Sequence, residues 1–411
     1  MAPVRVVSPE ALKTKLAALP GVPRVVASGN FAAPHAAIAA VDEALPEYRL
    51  FVLNAQTGLP DRDGVILETA FVGPGMRKSP RLRYLPSRLS LVPVMFATTV
   101  PPDVVLLHTS VVHDGTVSMG TEVNIMPAAV EAARDRGALV IAQINPQMPY
   151  TFGDGQLSVD EIDLAIEVDE PLPSPPANTP DDVSMAIGHR VADLVKDGST
   201  LQMGIGAVPD ATLAALTGRR GLRIWTEMFS DGVLTLDAAG ALEPNRELVV
   251  SFLFGSQELY RWLDRNHRVR VLRTEKVNDP ALISRNRQMV SVNTALQVDL
   301  FGQANASRIK ARIYSGFGGQ TDFIVGALHS RGGQAIMALR SWHPRANVST
   351  IVPLVDEPVT SFQQSAVITE QGAALLWGYS QNEQAANLIE HAAHPDVREE
   401  LWEEAAELGL A

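Results

Sequence analysis

The chain has 411 residues, 46% hydrophobic and 19% charged, enough to bury a large core and, by length, to make two domains of roughly 200 residues. A formal net charge of −12 opposes a nucleic-acid or anionic-membrane surface, because either needs a basic face, so an anionic ligand must be held by local devices such as helix N-termini and a few arginines. There is no cysteine, which excludes disulfides, thiolate metal sites and a cysteine nucleophile.

The opening MAPVRVVSPEALK lacks the basic and long apolar regions of a signal peptide and no run reaches membrane-spanning length, so a cytoplasmic protein is expected. Apolar, strand-like runs at 24–29, 49–55, 103–110 and 138–144 alternate with helical patterns. After them, EVDEPLPSPPANTPDD (167–182) breaks the pattern with prolines that remove donors and oppose helix, and it reads as an inter-domain connection. The expected domains are therefore 1–177 and 178–411. Further strand-like runs follow at 199–206, 222–227, 248–255, 269–275, 289–300 and 334–339, and two C-terminal helices are expected from 380 onward. Alternation of this kind predicts an α/β protein with mainly parallel sheets.

Four stretches carry candidate chemistry. In MGIGAVPDATLAAL (203–216), Gly204 and Gly206 let the backbone approach a ligand, and Ala207 and Pro209 open a helix whose free N–H groups attract phosphate or carboxylate. A dinucleotide fingerprint is the rival reading, with Glu227 as the ribose acid and the substrate class an oxidoreductase's, although the third glycine is missing. LRIWTEMFSDGVLTL (222–236) places Glu227 at the end of an apolar run, where a buried charge is costly unless it is paired or used. NTALQVDLFGQANAS (293–307) reads as one long strand with Asn293, Gln297 and Asp299 on one face, either paired in the core or lining a site. YSGFGGQTDFIVGA (314–327) puts Gly316, Gly318 and Gly319 just before a helix, a loop able to present consecutive N–H groups to an oxyanion. The spacing of His108 and His113 suits neither a helical nor a strand metal pair, His391 and His394 sit in an amphipathic C-terminal segment where a solvated or capping role is expected, and no metal is expected.

Taken in order, SGNFAAP (28–34), HDGTVSMG (113–120), EIDLAIEVDEPLP (161–173), GIGAVPDA (204–211), TEMFSDGVLTL (226–236), NDPALISRN (278–286), NTALQVDLFGQ (293–303), GFGGQTDFIVGA (316–327) and VITEQGAALLWG (367–378) resemble the acetyl-CoA hydrolase/transferase family, which includes 4-hydroxybutyrate, butyryl and succinyl CoA-transferases. The resemblance implies two open α/β domains with the active site at their interface, coenzyme A as substrate thioester, and a homodimer. It also implies Glu227 as covalent nucleophile, with Asn293, Gly318, Gly319 and Glu370 as oxyanion and active-site support. By the same resemblance Gly204, Gly206, Ala207, Pro209, Gly316, Gly319 and Gln320 face CoA, while Ser28, Gly29 and Asn30 line an acyl pocket. Trp225 stands where a histidine is common, Trp377 and Tyr379 replace a basic pair, and Lys310 and Arg312 replace small residues, which suggests a bulkier or less charged acyl group or an altered CoA contact.

The residue type fits the chemistry. Carboxylate attack on a thioester gives an acyl-glutamyl anhydride, and the thiolate then attacks the glutamyl carbonyl to leave a glutamyl-CoA thioester and free acid. Against a thiol leaving group the carboxylate is about 4 pKa units too weak, on the order of 6 kcal/mol, to be made up by oxyanion donors and remote CoA contacts. On this reading Glu227 should stay ionised. With water in place of the second acid the same glutamate would make an acyl-CoA hydrolase.

Overall fold

A computed structural model describes residues 4–175 and 179–411, so the expected domain boundary at 177/178 lies outside the described residues. The chain divides into two compact units, one of Met1–Pro175 with Val249–Val277 and the other of Pro176–Leu248 with Asn278–Ala411. A single cut would assign Val249–Val277 to the later unit. That segment packs with the first because its backbone is used there: Val123 and Asn124 donate N–H to the Ser251 carbonyl, and Arg270 pairs with Phe152 in a short parallel ladder.

The main sheet of the first unit has seven strands: β1 (Arg24–Ala27), β2 (Tyr48–Val52), β3 (Val65–Thr69), β4 (Leu82–Tyr84), β5 (Val104–Thr109), β6 (Leu139–Ile144) and β7 (Leu164–Glu167). They form one sheet in the order β7-β6-β5-β1-β2-β3-β4, with every pairing parallel. All six residues of β5 are buried, as an apolar β-branched run in the middle of a parallel sheet should be. Helices α1 (His35–Ala44) and α2 (Met126–Arg136) belong to this unit; α2 starts with Pro127 in its first turn and stops at Gly137, whose φ of 67° closes the C-terminus. The sequence runs reveal β1, β2, β5 and β6 but not β3, β4 or β7. Only β4, of three residues, is shorter than β1; β3 carries Glu68 in its interior, fully buried and bonded to Arg24 Nε at 2.7 Å.

The second unit starts with α3 (Asp182–Leu194), which Asp181 caps through its side chain. Then come β8 (Thr200–Gln202), α4 (Ala207–Ala215), β9 (Arg223–Ile224), β10 (Met289–Asn293), α5 (Gln320–His329), β11 (Gln334–Ala338), β12 (Ala366–Ile368) and β13 (Ala373–Leu375). The strand order is β9-β8-β10-β11-β12-β13, parallel except for the final hairpin. The C-terminal helices Gln381–Asn387 and Arg398–Glu407, joined by a π turn over Leu388–Ala392, bury Leu388, Ile389, Leu401 and Ala405 in this unit's core. The expected α/β architecture of mainly parallel sheets is therefore what the chain adopts.

The expected long strand at 289–300 does not exist. β10 ends at Asn293, and Gln297–Asp299 belongs to a separate small sheet with Ala304–Asn305 and Ile351–Val352. Asp299 is spent on that turn, accepting N–H bonds from Phe301, Gln303 and Val355.

Each sheet reverses its direction of growth once. In the first unit the reversal lies between β1 and β5, and in the second between β8 and β10. In open α/β sheets the crevice at the carboxyl ends of such strands is where ligands bind.

Candidate active site

The second unit's crevice brings together four segments: the turns after β8 and β9, the start of the short helix at Asn278, and the glycine loop that enters α5. After β8, Gly206 takes a φ of 120°, which a side chain disfavours, and turns the chain into α4 with no side chain capping its first N–H groups. After β9 the chain is tied to that turn by the buried Thr226. Its hydroxyl lies 3.0 Å from the Met203 carbonyl and 2.8 Å from that of Met228, and it accepts the Met203 N–H at 3.3 Å. Glu227 follows directly, on a backbone held from both sides.

The Glu227 carboxylate has a specific enclosure. Asn278, itself fully buried, donates from Nδ2 to Oε2 at 2.8 Å. Asn278 is placed by the next residues: Asp279 accepts the Ala281 N–H and Pro280 opens a short helix. From the other side comes Gly319, the N-cap of α5, preceded by Gly318 with φ of 58°. A Cβ on Gly319 would stand 1.9 Å from Glu227 Oε2 and 2.1 Å from Asn278 Nδ2, so only glycine lets the loop rest on the carboxylate. The positive end of α5 is thereby set against the acid.

Burial nevertheless dominates the charge. It pushes the Glu227 carboxyl up to about 7; the Asn278 N–H opposes the rise, and the carboxylate of the buried Asp322, in the first turn of α5, adds to it. The expectation that Glu227 stays fully ionised is corrected accordingly: tertiary packing encloses the acid more than local donors compensate.

The other expected residues are placed as follows. Asn293, at the end of β10, donates from Nδ2 to Ser291 Oγ at 2.9 Å and to Gln202 Oε1 at 3.4 Å, a polar network across the β8/β10 reversal. Glu370, in the β12–β13 turn, accepts from the Ser341 N–H at 3.0 Å, from the Ser341 hydroxyl and from Gln371 Nε2 at 3.4 Å, and not from Glu227. Gly204 lies on the β8–α4 turn and Ala207 and Pro209 in the first turn of α4; Gly316 lies on the loop entering α5, whose first residue is Gln320, with Nε2 3.7 Å from Met337 Sδ. In the first unit, Ser28, Gly29 and Asn30 follow β1 at its own reversal point and are tightly built in. Ser28 Oγ accepts the His108 N–H at 3.2 Å, Asn30 donates to Glu122 Oε2 at 2.6 Å and accepts from Asn54 at 2.9 Å.

Among the departures from the family pattern, Trp225 is half-buried beside β8, donating its backbone N–H to Leu201. Trp377 and Tyr379 do not join the Glu227 cluster. They stand exposed after β13, Trp377 on a cleft of about 350 Å³ with Phe301, Phe362 and Gln364. Lys310 takes a positive φ in the turn of an exposed hairpin between Arg308–Ile309 and Arg312–Ile313. Among the described residues no group of three or more His, Asp or Glu is placed to hold a metal ion, and no helix is long and apolar enough to cross a membrane.

Two residues of the candidate site escaped the sequence reading, Thr226 and Asn278. Both lie in stretches that carried the resemblance, but their roles depend on partners that only the fold supplies.

Residues 57–175 match the acetyl-CoA hydrolase/transferase N-terminal domain, and residues 255–405 the C-terminal domain of the same family. The 4-hydroxybutyrate coenzyme A transferase of Clostridium kluyveri is 39% identical over 338 residues, 79% of this chain and 78% of that protein. This chain belongs to the acetyl-CoA hydrolase/transferase family. Two crystal structures extend the match over nearly the whole length of the chain. RipA from Yersinia pestis superposes with a TM-score of 0.91 at 28% identity, covering 99% of this chain and 98% of that one. The 4-hydroxybutyrate CoA-transferase of Porphyromonas gingivalis does so with a TM-score of 0.82 at 32% identity, covering 98% of each. The chain is thus an enzyme of this hydrolase/transferase family, with CoA transfer or acyl-CoA hydrolysis as its class of chemistry.

The nicotinamide reading of the Gly204–Gly206 turn gives way. An acid that binds a ribose offers its oxygens to neighbouring hydroxyls, whereas Oε2 of Glu227 is enclosed between Asn278 and Gly319.

Proposed function

We propose that the protein is a CoA-transferase that moves CoA between an acyl-CoA and a carboxylic acid through a glutamyl-CoA thioester on Glu227. The observation that carries this is the Glu227 enclosure, in which a carboxylate at the carboxyl end of a parallel strand is pressed under a glycine helix cap and held by one buried amide. Such an arrangement suits a group that must itself react, because no side chain stands between the acid and the N-terminus of α5.

The raised pKa supports the same reading. Starting from about 7, the carboxylate is about 1.5 units less basic than an ordinary thiol, about 2 kcal/mol, where an unperturbed glutamate would face on the order of 6 kcal/mol. The remainder falls within what oxyanion donors and the CoA handle supply. On this proposal the Gly204–Pro209 turn and the Gly316–Gln320 loop meet the CoA thioester and pantetheine. Asn293 and Glu370 support the reacting centre, and Ser28–Asn30 lines the acyl side.

The test combines substrate panels with mass spectrometry. Purified enzyme incubated with acyl-CoA should carry a CoA adduct on the peptide containing Glu227, lose activity irreversibly when borohydride is added in the presence of acyl-CoA, and lose activity in Glu227→Ala. Thioester loss that is independent of added carboxylate would mark a hydrolase. Full activity in Glu227→Ala would remove the covalent reading altogether.

A further inference from the structure

We propose that the cleft beside Trp377 is a second binding site, shaped for an uncharged, flat nitrogen heterocycle that carries amino N–H donors, an aminopurine being the type. It stands apart from the covalent reading of Glu227. In the second unit's sheet β9, the strand that leads to Glu227, lies at one edge, and β13, which leads to Trp377, lies at the other. Five interstrand steps separate them, about 24 Å at the usual sheet spacing. Among the described residues, none that lines the cleft belongs to the Glu227 enclosure.

The walls of the cleft are held by specific bonds. On one side the Asp299 carboxylate accepts the backbone N–H groups of Phe301 at 3.0 Å and Gln303 at 2.9 Å, which fixes both residues on a tight turn. Two carboxamides then brace that turn and the 362–364 segment reciprocally. Gln364 donates from Nε2 to the Gly302 carbonyl at 2.8 Å, and Gln303 from Nε2 to the Phe362 carbonyl at 3.4 Å. Gln384 donates to the carbonyls of Leu376 at 2.9 Å and Tyr379 at 3.0 Å, holding the chain on either side of Trp377. Because the N–H groups of Gln303 and Gln364 are spent on carbonyls, neither amide can be flipped without setting oxygen against oxygen, and Oε1 of each is left with no donor. Gln364 is only 3% exposed, so open water does not supply one. A buried acceptor left unpaired is costly, and here two stand at one cleft.

The lining decides what can enter. A volume of about 350 Å³ has room for one ring system and lies at the low end of small-ligand sites. Phe301, Phe362 and Trp377 supply aromatic surface, and Trp377 is 59% exposed, so its ring is open to a ligand arriving from solvent. Among the described residues no charged side chain lines the cleft. An anion would meet two carbonyl oxygens with no cation to offset them, and a cation would find no carboxylate. A plain hydrocarbon would leave both oxygens unpaired. A ring with amino hydrogens answers both demands: its face gains contact with the aromatic walls, and its N–H groups meet the two oxygens after a turn about the terminal amide torsion, which is soft in glutamine. This chemistry has two sources, the adenine of a CoA substrate and a free base or nucleoside.

The test titrates the full-length enzyme with three probes, adenine, purine (which lacks the amino group) and benzoate, and reads contact by saturation-transfer NMR. Adenine is expected to bind with a Kd of about 1 mM or tighter, purine about three- to tenfold more weakly, and benzoate not at all. Trp377→Ser, at an exposed position, should weaken adenine about tenfold. Gln364→Met, which removes the acceptor at similar size, should weaken it about three- to tenfold. Should Gln364→Met fail to fold, Trp377→Ser and the ratio of adenine to purine affinity decide. The KM for acyl-CoA separates the sources: a rise in Trp377→Ser at unchanged kcat identifies the adenine of CoA as the occupant, and an unchanged KM identifies a separate base, either of which upholds the site. No adenine binding at about 10 mM, purine or benzoate binding as tightly as adenine, or adenine binding that either folded variant leaves unchanged would overturn the proposal. So would a wild type that sediments as paired copies and a Trp377→Ser that sediments singly with adenine bound by neither, because a second copy would then cover the cleft.

Discussion

Gly319→Ala is the smallest change that strikes the enclosure of Glu227. The added methyl would stand 1.9 Å from Oε2 and 2.1 Å from Asn278 Nδ2, whereas ordinary van der Waals contact starts at 3.4 Å, so the loop and the carboxylate must part by about 1.5 Å. Neither neighbour is the far end of a loose side chain: Glu227 follows the anchored Thr226, and Asn278 is fully buried. The Asn278 to Oε2 bond at 2.8 Å is then lost or lengthened past the useful range. Misplacement of a reacting group by about 1 Å costs a rate factor on the order of 10², and overpacking at a buried site costs about 1–3 kcal/mol of stability. Steady-state kcat/KM and thermal melting measured side by side should show both losses. Gly218→Ala is the control, since a Cβ there meets nothing within 4 Å. A Gly319→Ala enzyme with kcat/KM within a few-fold of wild type and an unchanged melting temperature would refute the close-approach argument.

The remaining expectations concern charge and framework. If ionised Glu227 is the reactive form, kcat/KM should fall as pH drops below about 7, the value to which burial raises it; an acid limb near 4.5 would contradict the enclosure. Because the folded pKa lies above the unfolded value, this group's contribution to stability is fully present below about 4.5 and is lost as pH rises through about 7. Glu227→Gln should therefore be more stable than wild type at pH 8, by up to about 3 kcal/mol, and not at pH 4, which urea titration at the two pH values would check. Thr226→Val removes a hydroxyl bonded to the carbonyls of Met203 and Met228 and should cost about 1–3 kcal/mol, with reduced kcat at unchanged pH profile. Arg24→Met leaves Glu68, which is fully buried, with only the partly exposed Arg83, and denaturant midpoints should fall by the equivalent of about 3 kcal/mol, with much of the loss recovered in Arg24→Met/Glu68→Leu.

What the sequence discloses depends on whether the physical cause is local. β5 and β6 are continuous apolar runs because both faces of a central parallel strand are covered, and Glu227 attracts notice as an acid ending such a run. β3 hides because Glu68 interrupts it, and that charge is answered by Arg24, 44 positions away. The supposed strand from Asn293 to Leu300 fails for a related reason: no glycine or proline marks the break at 294–296, and the three N–H donors that engage Asp299 reach as far as Val355. Asn278 sits 51 positions from the carboxylate it holds, and its own neighbourhood, Asn-Asp-Pro, announces only the start of a helix. The ionisation state of Glu227 was illegible for the same reason, since burial is a property of the assembled loops.

On the covalent reading proposed above, the raised pKa of Glu227 bears on how the site would work. A carboxylate raised from 4.5 to about 7 is a more basic, and so more reactive, nucleophile, but only about half of it is ionised at neutral pH. If carboxylate attack on a thioester follows a Brønsted slope like that of thiolate exchange, about 0.4–0.5, the shift raises the reactivity of the ionised form roughly tenfold. The loss of ionised population at pH 7 is about twofold, so the exchange favours catalysis near neutrality and reverses in acid. The opposing influences on Glu227 then have a common logic. Burial and Asp322 raise its basicity, while the Asn278 N–H keeps enough of it charged to react as that proposal requires. Adding a second strong donor to Oε2 would lower the pKa and blunt the nucleophile, and removing Asn278 would leave a better base that is seldom ionised. One buried amide and one bare glycine are the intermediate that serves both demands.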